Sequence, residues 1–311
     1  MTKKRLPDFL IVGAAKSGTT SLYYYLDHFD DVFMSEIKEP HFFSFYNDRP
    51  EFKSSESLNN VVSEIGEYEA LYKAARPEQL LGEASTSYLY YHKKAIENIQ
   101  KVYGEDYRKI KIIIGLRNPV DRAWSQINHF KKFDHEPLEP LEAIDANVIA
   151  DRMKQGWNTY YDYLGFGNYY NQVKSYVDHF DRVHVFTDFE LKEDRVKTVN
   201  EILNFLFENY RDYSDELKEL DKTYNVSGIP KNRLSKVIWN LTHKKNPIKA
   251  LAAVLVPEKI KQKFYNKISG KILKPHAMPE AFRQKIYAGY KTEINKLENL
   301  LQRDLSSWKT D

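Results

Sequence analysis

Two groups of residues in this 311-residue chain have the types and spacing to bind and activate an anion. The first is Gly13-Ala14-Ala15-Lys16-Ser17-Gly18-Thr19-Thr20, which sits between an apolar run and a helical pattern. Backbone N–H groups at a helix start, reinforced by the helix dipole, attract negative charge. Thr19, Thr20 and Ser21 add hydroxyl donors, and Lys16 puts a full positive charge inside the loop. The spacing almost matches the nucleotide-binding pattern G-x-x-x-x-G-K-[ST], with Gly13 and Gly18 in register. The residue after Gly18 is Thr19 rather than lysine, however. A nucleoside triphosphatase needs its lysine near the terminal phosphates and a hydroxyl on magnesium. This loop suits a single phosphate, with Lys16 beside whatever is bonded to it. The second group is Arg117, at the end of another apolar run, and Ser125, eight residues on. A guanidinium and a hydroxyl converging there suit a second phosphate. Arg122, between them, is expected to make a structural ion pair.

These residues need strands and helices to hold them. Phe9 to Gly13 (FLIVG) is continuously apolar, as in a parallel strand buried on both faces. After the loop, Leu22, Tyr25, Leu26 and Phe29 recur at helical spacing. Ile110 to Leu116 (IKIIIGL) predicts a second strand, followed by a helix over 120–132 with Pro119 at its first position. Val183 to Phe186 predicts a third strand, after a helix over 169–180. A long helix is expected over 192–208. Another is expected over 280–302, from the apolar spacing of Ile286, Tyr290, Ile294, Leu297 and Leu301. Residues 47–80 are polar with scattered aromatics and predict irregular structure with short helices.

Repeated strand–helix units imply an α/β fold, a P-loop-like parallel sheet flanked by helices with a helical C-terminal part. No repeat or Gly/Ser-rich linker divides the chain, so one domain over 1–311 is expected. The basic-then-apolar start, MTKKRLPDFLIVG, reads as the first core strand rather than a signal peptide. No stretch approaches the roughly 18 apolar residues of a membrane span. Residues 242–257 turn from basic to apolar; the favoured reading is a buried helix, the alternative an amphipathic helix resting on a membrane or partner.

Composition narrows the chemistry. A formal net charge of +3 is too mild for a nucleic-acid-binding face, yet leaves room for a local basic pocket. With no cysteine there is no disulfide, thiolate metal site or cysteine nucleophile. The 23 tyrosines and 17 phenylalanines suit core packing, or a ring-lined cleft for a sugar or lipid. The same two readings apply to Trp157, Tyr160, Tyr161, Tyr163, Tyr169 and Tyr170.

The loop GAAKSGTTS (13–21) resembles the 5′-phosphosulfate loop of sulfotransferases that use 3′-phosphoadenosine 5′-phosphosulfate (PAPS), and RNPVDRAWS (117–125) resembles their 3′-phosphate motif. Between them, Lys38-Glu39-Pro40-His41-Phe42-Phe43 is similar to a segment of the heparan-sulfate type. The ending LENLLQRDLSSW resembles the closing helix and tryptophan of bacterial members. The resemblance implies that Lys16 binds the 5′-phosphate and the bridging oxygen. Ser17, Gly18, Thr19, Thr20 and Ser21 would cradle that phosphate, and Arg117 and Ser125 would hold the 3′-phosphate. Glu39 matches the general base, with His41 as an alternative base or an orienting group. Segment 225–233 resembles the loop that closes over the donor, with Lys231 or Arg233 as its basic contact. Heparan-type enzymes carry a lysine where this chain has Ala84, in Glu83-Ala84-Ser85-Thr86-Ser87-Tyr88, so a heparan-like acceptor is not implied.

The resulting expectation is in-line transfer of a sulfuryl group from PAPS to a hydroxyl or amine, leaving adenosine 3′,5′-bisphosphate, with no metal. The preferred acceptor would be a glycan or glycolipid, with a small metabolite or a peptide tyrosine as alternatives, and the location cytoplasmic. The competing readings are a P-loop-type nucleotide kinase and a non-catalytic nucleotide-binding protein.

Overall fold

The computed structural model describes residues 5–54, 58, 60–209, 211–220, 228–243, 268–269, 271–274 and 276–309. Its centre is strand β1 (Phe9–Gly13), where Phe9, Leu10, Ile11 and Val12 have no exposed surface. Successive side chains of a strand point to opposite faces, so one apolar run feeds two cores. Leu10 and Val12 enter a core with Ile96, Ile99, Ile127, Val173 and Ile286, while Phe9 and Ile11 enter another with Leu22, Leu26, Val199 and Leu203.

The sheet is parallel, in the order β2-β3-β1-β4-β5, with β2 at Val32–Met34, β3 at Leu80–Ala84, β4 at Lys111–Leu116 and β5 at Val183–Thr187. Of these, β1, β4 and β5 were expected; β2 and β3 are additions. β3 begins at Leu80, where the segment read as irregular ends, and was missed because its run LLGEA carries Gly82 and Glu83. Gly82 is there for space: a Cβ built on it would lie 2.1 Å from Phe9 Cζ on the neighbouring strand. Gly82→Ala is therefore expected to destabilise the fold by about 1–3 kcal/mol through overpacking. Gly289 faces open space on an exposed helical surface, and Gly289→Ala is expected to stabilise by about 0.5–1 kcal/mol. Urea midpoints that moved alike for both variants would refute this contrast.

The expected helix over 192–208 is two helices, Asp188–Glu193 and Arg195–Phe207. The break is written in capping residues. Thr187 and Glu190 form a capping box at the first start, and the Asp194 side chain accepts from Lys197 N at 2.9 Å at the second. Helix Pro119–Lys132 begins with Pro119 at its first turn, and Asn118 Oδ1 accepts from Val120 N at 3.0 Å. Helix Glu280–Leu301 buries Phe282, Ile286, Tyr290, Ile294 and Leu297, the stripe its spacing predicts. Trp308, beyond it, is buried, and its carbonyl accepts from Asn118 Nδ2 at 3.4 Å, so the end of the chain props the start of helix Pro119–Lys132. A two-stranded antiparallel pair, Ile229–Pro230 (β6) with Leu273–Lys274 (β7), leads into helix Arg233–His243. Thr242 and His243 end that helix, and the rest of the segment read over 242–257 lies outside the described residues. No helix among the described residues is long and apolar enough to cross a membrane.

Candidate functional site

β1 and β4 are parallel neighbours, and Ala14 N donates to Gly115 O at 2.6 Å just past their pairing. The chain leaves β1 toward β2 on one side of the sheet and leaves β4 toward β5 on the other. Such a divergence opens a crevice at the carboxyl ends of the strands, where ligands of open α/β sheets bind. The loop after β1 and Arg117 after β4 both lie there.

The loop ends at Gly18, whose φ of 84° is left-handed and favours glycine, and helix Thr19–Leu26 starts immediately after it. Ser17 is fully buried, and among the described residues its Oγ has no hydrogen-bond partner. A buried hydroxyl left without a partner is costly, so Ser17 is a donor waiting for an acceptor. Arg117 Nη1 donates to Lys16 O at 3.3 Å, and its Nε faces Asp188 Oδ2 at 3.4 Å. Asp188 is also engaged by Lys192 at 2.6 Å. Burial lowers the Lys16 ammonium to about 7, helped by the charges of Lys132 and Arg117 and opposed by Glu39. Burial likewise lowers Lys132 to about 8.

Lys132, which no motif supplied, acts on Lys16 through its charge. On helix Pro119–Lys132 the residues at 121, 125 and 129 are half-buried amid buried neighbours, and Lys132 continues that face. Ser125 and Lys132 are two turns apart on it, a spacing present in the sequence. The Lys132 ammonium lies 4.5 Å from the Trp239 ring centroid. His129, on the same face, is held well below its usual range by burial and by Lys16 and Lys132. The outcome is a knot of positive charge around Lys16 that would welcome a polyanion.

Glu39 lies between β2 and the short helix Phe42–Phe45, with its N–H on Ala84 O at 3.0 Å. Its Oε1 is 2.5 Å from Lys38 Nζ, while Oε2 accepts from Thr86 Oγ1 at 3.2 Å and faces Tyr160 OH at 3.4 Å. Thr86 and Tyr160 are joined at 2.7 Å. Burial pushes this carboxyl up, but Lys38, His41 and Thr86 outweigh it and hold it at about 2. His41 is buried, with Nδ1 2.8 Å from Ser87 Oγ and Nε2 3.8 Å from Glu39 Oε2. Burial lowers the His41 ring to about 4, so it is neutral near pH 7. A neutral ring facing a carboxylate through Nε2 keeps its proton there and accepts from Ser87 at Nδ1. That tautomer orients Glu39; it has no lone pair to offer as a base on that side. A second carboxylate, Glu83, is fully buried and takes the hydroxyls of Tyr68 at 2.6 Å and Tyr88 at 2.8 Å; burial raises it to about 7.

The expectation for Arg122 changes. Arg122 is buried as a structural cation, but it donates to the Tyr163 carbonyl, with its guanidinium 5.7 Å from the Phe166 ring centroid, rather than to a carboxylate. Lys231 donates to Lys271 O at 2.6 Å and Arg233 is exposed at the start of helix Arg233–His243; no hydrogen bond or ion pair among the described residues joins either to Lys16 or Arg117. Residues 225–227 of the same segment lie outside the described residues. Of the aromatic stretch, Tyr161, Tyr163 and Tyr169 are core residues, whereas Tyr160 reaches Glu39.

Residues 6–291 match the sulfotransferase domain family, so the chain belongs to that family, and its sheet and flanking helices are a sulfotransferase fold. A crystal structure of a sulfotransferase from Alicyclobacillus acidocaldarius superposes with a TM-score of 0.70 at 27% identity, over 98% of this chain and all of that one. A mouse sulfotransferase, SULT7A1, complexed with PAP aligns with a TM-score of 0.41 at 16% identity, over 86% of this chain and 85% of that one. The membrane-associated sulfotransferase kil1 of Dictyostelium discoideum is 28% identical over 138 residues, which are 43% of this chain. Those residues span about a quarter (26%) of the curated relative.

Proposed function

We propose that the chain transfers the sulfuryl group of PAPS to an acceptor hydroxyl or amine by in-line displacement. The observation that carries this reading is the meeting of Lys16 and Arg117 at the carboxyl ends of β1 and β4, beside a buried Ser17 hydroxyl that has no partner among the described residues. The loop 17–21 would take the 5′-phosphate, and Arg117 with Ser125 the 3′-phosphate. Lys16 would neutralise the charge that builds on the leaving phosphate oxygen. Glu39 would take the acceptor proton, oriented by His41, Thr86 and Tyr160. Tyr160, whose ring centroid lies 4.7 Å from that of Phe166, places an aromatic wall beside Glu39, which suits a sugar ring of a glycan or glycolipid.

Calorimetric titration with adenosine 3′,5′-bisphosphate, ADP and ATP, with and without magnesium, tests the donor. Metal-independent binding of the bisphosphate, at least tenfold tighter than ADP, is expected. Arg117→Ala should weaken the bisphosphate by about 10–100-fold, as loss of a charge-assisted contact does, and leave ADP little changed. Magnesium-dependent preference for ATP would replace this reading with the kinase one.

A further inference from the structure

Neighbouring residues of an extended chain point their side chains apart. Lys38 and Glu39 do the opposite, and the backbone shows how. Glu39 has φ 60° and His41 has φ 56°, two left-handed non-glycine residues around Pro40. Such conformations persist where the surroundings enforce them, and they cluster at functional sites. Here Glu39 N is tied to Ala84 O and His41 N to Ser85 Oγ, both at 3.0 Å, so the end of β3 and the residue after it hold the bend. The bend turns the carboxylate back onto the Lys38 ammonium.

The two carboxylate oxygens are held differently. Oε2 faces three fixed groups, Thr86, Tyr160 and His41. Oε1 takes the Lys38 ammonium, which is on a flexible four-carbon stem. The other charged groups that act on this carboxylate are Lys16, from the loop after β1, and Glu83, from β3. Oε1 is the oxygen that a substrate proton could reach once Lys38 leaves it. The Lys38 charge also acts on Lys16, so its ammonium is within the field of the anion site.

We infer that Lys38 is a donor-operated cover on the base: it pairs with Glu39 in the ligand-free protein and swings to the sulfuryl oxygens when the donor binds. This rests on the PAPS reading above. With Lys38 on the sulfuryl group, Glu39 Oε1 takes the proton of the acceptor O–H as that oxygen bonds to sulfur. The bond from sulfur to the bridging phosphate oxygen breaks, its electron pair stays on the leaving phosphate, and Lys16 neutralises it. Lys38 moves charge and no proton. The device withholds the base until a sulfuryl group is present. It also puts a cation near the sulfuryl group in a chain that has Ala84 where the heparan-sulfate type carries lysine.

The test compares the full-length protein with Lys38→Met and Lys38→Arg. In the unaltered protein the acid limb of kcat/KM for the donor, which reports the free enzyme, should fall well below the acid limb of kcat, which reports the loaded one. In Lys38→Met the two limbs should come together near the ordinary carboxylate range of about 4–5, with kcat lowered about tenfold. Lys38→Arg should restore most of the separation. Affinity for adenosine 3′,5′-bisphosphate, which has no sulfuryl group, should stay within about twofold in both variants. Limbs that keep their separation in Lys38→Met would overturn the inference, even if kcat fell. Failure of the unaltered protein to bind the bisphosphate would instead remove the donor reading on which it rests.

Discussion

Replacing Lys16 with methionine is expected to lower kcat by about 10²–10³-fold and, at the same time, to raise the melting temperature of the ligand-free protein. The kinetic loss is that of removing one preorganised group aimed at developing charge in a dry site. The stability gain follows from the same geometry. Burial pushes the Lys16 ammonium down from its ordinary range to about 7, and the nearby Lys132 and Arg117 push it further. Between pH 7 and the ordinary lysine range near 10.5, the unfolded chain therefore binds more protons than the folded one. Stability rises with pH across that window, and the charge penalty is present in full below about pH 7. Methionine has nearly the shape of the stem and no charge, so it removes the penalty. A rise of about 2 °C or more is expected at pH 6.5, shrinking toward pH 10. An anion that binds the loop would reverse the effect in the unaltered protein only, because it would supply a negative partner for the Lys16 ammonium. The kcat/KM profile for the donor should show an alkaline limb near pH 7 that the variant loses. A variant with a lower melting temperature and near-normal turnover would show that Lys16 is a structural residue.

What could be seen in the sequence divides along physical lines. β1 and β4 were legible because strands buried on both faces must be apolar throughout, and each is followed by a charged loop. Helix Glu280–Leu301 was legible because a helix with one buried face repeats its apolar residues. β2 is three residues long, too short for any periodicity, and β3 hides Glu83, whose burial depends on Tyr68 and Tyr88 rather than on its strand neighbours. Glu39 could be singled out, but not its surroundings: Thr86 and Tyr160 arrive from 47 and 121 residues away. Lys132 is a different case, since its place two turns beyond Ser125 was available. Spacing alone did not say that this face of the helix lies within reach of the Lys16 charge. The pairing of Lys38 with Glu39 could not be read at all, because it depends on a left-handed backbone at a glutamate.

Glu39→Gln separates the two candidates for the base. Glutamine keeps the size of the side chain, and its carbonyl can still accept from Thr86, so the arrangement of Thr86, Tyr160 and His41 should survive. It cannot take a proton. If Glu39 is the base, kcat falls by about 10²–10⁴-fold, the range that general-base catalysis contributes, while bisphosphate affinity stays within a few-fold. His41→Gln should then cost much less, about tenfold, because the ring only orients Glu39. That variant would raise the acid limb of kcat/KM, since His41 helps to keep the carboxylate ionised. The opposite pattern, with turnover kept in Glu39→Gln and lost in His41→Gln, would make His41 the base. That outcome would require the imidazole to carry its proton on Nδ1, donate it to Ser87, and aim a bare Nε2 at the acceptor. The 2.8 Å contact with Ser87 permits either tautomer. A carboxylate oxygen 3.8 Å from Nε2 favours the protonated one, because a lone pair pointing at a negative charge is repelled. The substitution at Glu39 removes that negative charge and with it the constraint on the ring. A modest activity in Glu39→Gln that followed a titration in the histidine range, and vanished in the double variant, would mark His41 as a substitute base recruited by the mutation. An activity that was merely low and flat with pH would leave Glu39 as the group that takes the proton.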